Sequence, residues 1–225
     1  MQLHNPYNQL QYGVSYFCRQ YVEKYYLDLN VFSLILLTMI NILTTPTMFP
    51  LTNYLWGSKE ESEKGCVYLS HNGSVLKAQF KIEAKELRRE VKENNGPVYT
   101  DSCCELFLMK KGGEAYYNIE ISASGAILIG KGKDKPTRTR IIGDEWWSKV
   151  KRNVTVLQND DNKSVWTVDV ELNLKDFDLD SEDLLGNIYL CGDKLKETVF
   201  ISLFNIDLPS PNFHCKEFFG SFKLC

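Results

Sequence analysis

Histidine is scarce in this sequence: His4, His71 and His214 are the only three in 225 residues. No Cys–His pairing is signalled. No Gly-x-Ser-x-Gly elbow is present to lift a serine onto a strand-to-helix turn, so nucleophilic catalysis lacks its usual parts. Basic clusters are also missing. The net charge is −3, and phosphate backbones demand concentrated Lys and Arg, which argues against nucleic acid as the main partner. The nearest basic run, Lys131 to Arg140, reads as a solvated hairpin loop. Gly130-Lys-Gly132 is not followed by an apolar helix, so it is turn material and not a phosphate-binding loop.

Long apolar runs are lacking as well. The strongest, Val31 to Leu43, has about thirteen residues, short of the ~20 that span a bilayer as a helix. That length suits the apolar core of an export signal, yet some thirty residues precede it, including Glu23 and Asp28. Three readings of residues 1–50 stay open: an element packed on the domain, a displaced signal, or sequence upstream of the true start. Membrane attachment is not expected.

Cysteine is present seven times, an odd number that rules out a fully paired framework within one chain. No CxxC pair occurs, and Cys103-Cys104 are neighbours whose side chains leave a strand on opposite faces. Zinc would need ligands grouped in space that no spacing here provides. The thiols therefore read as small buried hydrophobes, which favours a soluble, cytoplasmic chain over an exported one.

What the sequence does have is strand periodicity. Leu76, Ala78, Phe80 and Ile82 alternate with Lys77, Gln79 and Lys81, and Asn72-Gly73 just before them marks a tight turn from a partner strand. Leu106, Ile119, Val168 and Val170 are further core positions. Cys104, Leu106 and Leu108 alternate with Glu105, Phe107 and Met109, the pattern of a strand covered on both faces. Ala84 to Glu93 is charged enough for a short exposed helix, and Phe177 to Leu185 for a single turn. About ten strands joined by Gly, Asn, Asp and Pro turns predict an all-β, antiparallel β-sandwich, jelly-roll-like, over 51–225 behind an N-terminal extension over 1–50.

Carboxylates are plentiful: Asp101, Glu105, Glu120, Asp169 and Glu171 lie on or beside strands. Glycoside hydrolysis needs two of them facing each other across a cleft, and no spacing singles out a pair. Aromatic residues make up 12%, enough to supply rings that stack on the apolar face of a sugar. Trp166 reads as core. Trp146-Trp147 cannot both face one core, so one of them is expected at an edge or exposed.

Four blocks in order then resemble the carbohydrate-binding module family nine: Gly96-Pro-Val-Tyr-Thr-Asp-Ser-Cys-Cys-Glu-Leu-Phe107, Tyr116-Tyr-Asn-Ile-Glu120, Gly186-Asn-Ile-Tyr-Leu-Cys-Gly-Asp-Lys-Leu195, and Pro211 to Gly220 with its Pro-x-Phe-His-x-x-Glu-Phe-Phe-Gly pattern. The resemblance runs from about Cys66 to Leu224. It implies a non-catalytic β-sandwich that binds a mono- or oligosaccharide, at a chain end, in carbohydrate catabolism beside glycoside hydrolases. It also allows calcium, with no ligand residues mapped. Similar sequences carry a Leu-Ser-Trp-like triplet where this one has Ile201-Ser-Leu203, and leucine cannot stack on a sugar as an indole does.

The expected sugar-binding residues are therefore Asp101, Asn118, Asn187 and Lys194 as polar partners, with Tyr99, Tyr116 and Trp147 as replacement platforms. No catalytic residue is assigned, and a monomer is expected. A glycan-active hydrolase component and a degenerate sandwich serving protein interaction are the alternatives.

Overall fold

The computed structural model of the chain describes residues 39–225. Those residues form fourteen strands in two sheets. The strands are β1 (Met39–Ile42), β2 (Thr47–Leu51), β3 (Asn53–Tyr54), β4 (Glu63–His71), β5 (Val75–Ala84), β6 (Cys103–Lys110) and β7 (Tyr116–Ser122), then β8 (Ile127–Gly132), β9 (Thr139–Arg140), β10 (Val150–Asn159), β11 (Ser164–Asn173), β12 (Asp183–Gly192), β13 (Val199–Ser202) and β14 (Gly220–Leu224). The smaller sheet runs β10-β11-β5-β4-β2. The larger runs β1-β14-β12-β6-β7-β8-β9, with β13 and β3 added beside β12. All pairs are antiparallel except β1 with β14. The architecture is the expected β-sandwich. The strands β1, β2, β3 and β9 have only two to five residues, too brief to leave a periodic signal.

The Asn72-Gly73 turn works as its residues dictate. Gly73 sits at φ 88°, and the Asn72 carboxamide oxygen accepts from the Ser74 and Val75 amides. It fixes the register of β4 against β5, which sends Leu76, Phe80 and Ile82 inward. These side chains pack with Trp166, Val168 and Val170 of β11 against Leu106, Ile119 and Ile188 of the larger sheet, forming the core between the sheets. The outer face of the smaller sheet is wet and carries exposed ion pairs such as Lys77 with Glu171.

The outer face of the larger sheet is dressed. Phe107, Met109, Tyr116, Leu128, Tyr189 and Cys191 point away from the inter-sheet core and build a second cluster with Val98, Ile206 and Phe213 from the loops. Both faces of β6 and β7 are thus buried, as the mostly apolar residues on both sides of β6 implied. This second layer positions the site.

Three expectations change. Residues 85–93 form no helix: Arg88 pairs with Asp101, the Arg89 guanidinium donates to the Ala123 carbonyl, and the Val91 amide donates to the Asp101 carboxylate. Tertiary partners outcompete an i→i−4 ladder there. The single turn falls at Leu174–Phe177, and Asp183 already belongs to β12. Residues 39–50, set apart with the extension by sequence, supply β1 and most of β2, and Ile42 is buried in the main core. The rest of the extension lies outside the described residues.

Candidate functional site

A cleft of about 240 Å³ opens between the outer face of the larger sheet and the loops that dress it. Its floor is polar. Glu105 on β6 and Glu120 on β7 are directly opposed in register, so both side chains leave the same face on adjacent strands. Each is 3% exposed. Glu120 accepts from Asn118 Nδ2 at 2.7 Å and from the Arg138 guanidinium at 3.2 Å. Its other oxygen, Oε2, is buried without a hydrogen-bond partner. Glu105 accepts from the Cys191 thiol at 3.0 Å.

Burial raises the affinity of both carboxyls for a proton, and their mutual repulsion adds to it for Glu105. The pair divides its labour through its partners. At Glu120 a guanidinium and an amide donor favour the charged form and offset part of the rise that burial causes. Glu105 has no cation in contact, so its carboxyl lies well above the usual carboxylate range.

Arg138 reaches Glu120 across a gap that only glycine leaves. A Cβ at Gly130 would stand 2.4 Å from Asn118 Oδ1 and 3.0 Å from Arg138 Cδ, and one at Gly132 would stand 2.5 Å from the Arg138 Cα. The glycines of Gly130-Lys-Gly132 therefore let the 133–140 loop fold back over β8. The basic run is not a purely solvated loop: Lys135, Arg138 and Arg140 all line the cleft. Opposite them stand Glu105, Glu120 and Asp193, so carboxyl groups offset part of the positive charge and add hydrogen-bonding groups for a polar ligand.

The walls are aromatic. Trp56 lies edge-on to Phe200, with centroids 5.5 Å apart, and tilted against Phe213 at 5.7 Å. Its indole N–H donates to the Leu208 carbonyl at 2.7 Å, so its one polar group is spent and only ring surface is offered. Trp56 also holds φ at 50°, the left-handed region that a bulky residue occupies only when its surroundings insist on it. Tyr99 sits in the short turn Val98–Thr100, whose carbonyl at Tyr99 accepts from the Asp193 amide, and it too lines the cleft.

Asn212 and His214 close the far side. Burial, with Arg138 and Lys135 nearby, lowers the His214 pKa to about 3, so the ring is neutral near pH 7. Burial holds the Tyr116 hydroxyl protonated, up to about 12. That hydroxyl meets His214 Nδ1 at 2.9 Å; with the hydroxyl donating, the imidazole proton sits on Nε2.

The residues expected from sequence sort into three groups. Tyr99 lines the cleft, and Lys194 is exposed and does not, with Asp193 lining it instead. Tyr116 and Asn118 are fully buried and act one layer beneath: Tyr116 stacks on Phe107 at 5.6 Å and orients His214, and Asn118 orients Glu120. Asp101 and Asn187 are buried braces. Asp101 holds the 85–93 segment. Asn187 donates to the Phe204 carbonyl and accepts from the Phe204 and Ile188 amides.

Trp147 belongs elsewhere. With Trp146 it forms the helical turn Asp144–Trp147, half-buried against the rim of the inter-sheet core. Leu203 and Phe204 pack on that same core, so neither replaces the missing indole. Trp56, well upstream in sequence, stands in the cleft. Glu105 and Glu120 lie within the family-like blocks but were not singled out, and Trp56 and Arg138 lie outside them; the four residues come from four separate segments that only the fold brings together.

Calcium takes six to eight hard oxygen ligands. Among the described residues, the acidic, thiol and imidazole side chains that converge closely are Cys103, Glu105 and Cys191. Two sulfurs and one carboxylate do not suit calcium.

The family model described as "Carbohydrate-binding family 9" matches residues 48–224. A candidate carbohydrate-binding protein of known structure from Bacteroides uniformis superimposes with a TM-score of 0.74 at 24% identity, over 83% of this chain and 99% of that one. A family 9 module from Caldicellulosiruptor kristjanssonii, solved with cellotriose, gives 0.51 at 10% identity over 83% and 93%. Its glucose complex gives 0.51 at 12% over 83% and 95%. A search of curated proteins finds no match.

Proposed function

The chain belongs to carbohydrate-binding family 9, and from that premise we propose that the cleft over Glu105 and Glu120 is its sugar site. The observation that carries the reading is the buried Glu120–Arg138 pair set between the aromatic walls of Trp56 and Tyr99. A pyranose ring has apolar faces and a hydroxyl rim. Trp56 or Tyr99 stacks on a face, while Glu120, Arg138, Asn212 and His214 Nε2–H exchange hydrogen bonds with the rim. Held in place by Asn118 and Tyr116, these groups are set before the sugar arrives, which lowers the ordering cost of binding.

The volume of about 240 Å³ is below the ~300–1,000 Å³ of sites for drug-sized ligands. It suits one ring, the end of a glycan rather than its middle. Glucose and short β-glucans are the first ligands to try, since a relative was solved with glucose and with cellotriose. The two carboxyls point to binding and not to hydrolysis. A hydrolytic pair flanks the scissile bond, whereas these stand side by side on one sheet face, one of them neutralised by arginine.

Calorimetry with glucose, cellobiose and cellotriose tests the reading. Modest, enthalpy-driven binding that hardly changes with salt is expected, because a neutral sugar releases no counterions. Failure of the wild-type chain to bind any member of a broad glycan array would leave the sandwich without a sugar and favour a role in protein interaction.

A further inference from the structure

We propose that Cys103, Glu105 and Cys191 form a binding site for a soft divalent cation, zinc in the first instance, at the floor of the cleft. Cys103 on β6 and Cys191 on β12 are directly opposed in register, and Glu105 follows Cys103 by two residues on the same face. The three ligand atoms lie within 4.8 Å of one another, and all three residues are buried. Tetrahedral zinc with Zn–S near 2.3 Å and Zn–O near 2.0–2.2 Å sets its donors about 3.4–3.8 Å apart. Small side-chain rotations therefore close the site around an ion, with no movement of the strands.

The set is soft, which selects zinc, cadmium or cobalt over calcium and magnesium. Apart from the Cys191–Glu105 hydrogen bond, the thiols make few polar contacts. The contacts of the thiols with backbone carbonyls are long, 3.6 Å from Cys103 to its neighbour and 3.8 Å from Cys191 to Tyr99. No disulfide ties the two cysteines, although they face each other.

Access and a fourth ligand are at hand. Glu105 and Cys191 line the cleft, so an ion enters from solvent and keeps one position open to it. A water from the cleft can fill that position. Binding forms two metal–sulfur bonds and one metal–oxygen bond, and the two thiol protons and the proton of the Glu105 carboxyl leave to solvent. No electron moves. The inference stands on the convergence of three ligand atoms, an observation that the sugar reading does not use.

The test uses the full wild-type chain, fully reduced and metal-free, titrated with Co²⁺. One equivalent should produce the near-ultraviolet thiolate-to-cobalt band, and Zn²⁺ should abolish it by displacement. The band should vanish in Cys103→Ser and in Cys191→Ser and persist in Cys225→Ser, whose thiol is exposed. A folded wild type without the band at saturating Co²⁺, or a band that survives in both cleft variants, would overturn the proposal. Should the cleft variants fail to fold, alkylation of the wild type decides. Zn²⁺ should protect Cys103 and Cys191 from iodoacetamide by peptide mass spectrometry, and equal labelling with and without zinc would reject the site.

Discussion

Glu105 and Glu120 face each other across adjacent strands, both almost wholly buried, and only Glu120 meets a cation, Arg138. One charge on two carboxyls is the natural state of such a pair, since two would repel in a medium that screens poorly. The asymmetry makes Arg138 the hinge of the site. It favours the charged form of Glu120 and presents its own free donors to the ligand.

Arg138→Ala should weaken sugar binding by at least tenfold. Hydrogen bonds to charged groups contribute roughly 1.5–3 kcal/mol. The change also strands Glu120, and breaking a buried pair costs about 3–5 kcal/mol in stability. Arg138→Lys should recover much of the melting temperature but less of the affinity, because an ammonium cannot imitate the planar fork. Equal recovery of both would show that only the charge counts. Calorimetry and a melt on each variant give the answer.

Trp56→Ala should lose at least tenfold in affinity with a modest drop in melting temperature, the ring being half-exposed. Trp147→Ala should leave affinity within twofold, since Trp147 does not line the cleft. The reverse ranking by calorimetry would move the stacking platform to the helical turn.

His214 should not titrate between pH 5 and 8. Its folded pKa of about 3 lies below the ordinary 6.5, so the unfolded chain takes up the proton first. Its contribution to stability is therefore present above about 6.5 and lost as pH falls toward 3. Nitrogen-detected NMR should show one neutral tautomer protonated at Nε2. A midpoint near 6.5 would refute the assignment and make sugar binding pH-dependent.

Glu63, 1% exposed on β4, has no hydrogen-bond partner on either oxygen, and burial raises its pKa from 4.5 to about 8. The folded state holds this proton more tightly than the unfolded one. Stability from this group is thus full below pH 4.5 and falls as pH rises to about 8. Glu63→Gln should raise the melting temperature at pH 9 far more than at pH 4, the difference amounting to a few kcal/mol at about 1.4 kcal/mol per unit. A shift that is the same at both pH values would mean that the carboxyl is ionised in the fold.

Asn187→Ala should destabilise the domain by about 2–4 kcal/mol, because it leaves two backbone amides and a carbonyl without their buried partner. Binding by the fraction that remains folded should be unchanged. A stable variant with weakened affinity would restore Asn187 to the site.

The sequence by itself determined the sandwich, the alternation that buries Leu76, Phe80, Leu106, Ile119, Val168 and Val170, and the Asn72-Gly73 turn that sets their register. These are local properties: period two, turn chemistry and β-branched or aromatic content act over a few residues. Tyr99 was legible because it lies within a block that resembles the family. Tyr116 and Asn118 were found beside the site but assigned to its surface, since a strand with both faces covered gives no local clue to which polar residues are wet.

Tertiary structure alone decided the rest. Trp56 reaches the cleft through a left-handed turn and a hydrogen bond to Leu208, 152 residues away. Arg138 meets Glu120 only because two glycines clear its path. Cys103, Glu105 and Cys191 converge because β6 and β12 are neighbours in the sheet, though 80 or more positions apart in the chain. Strand pairing joins distant segments at a register set by whole-sheet packing, and a single sequence carries no local record of which strand will lie beside which.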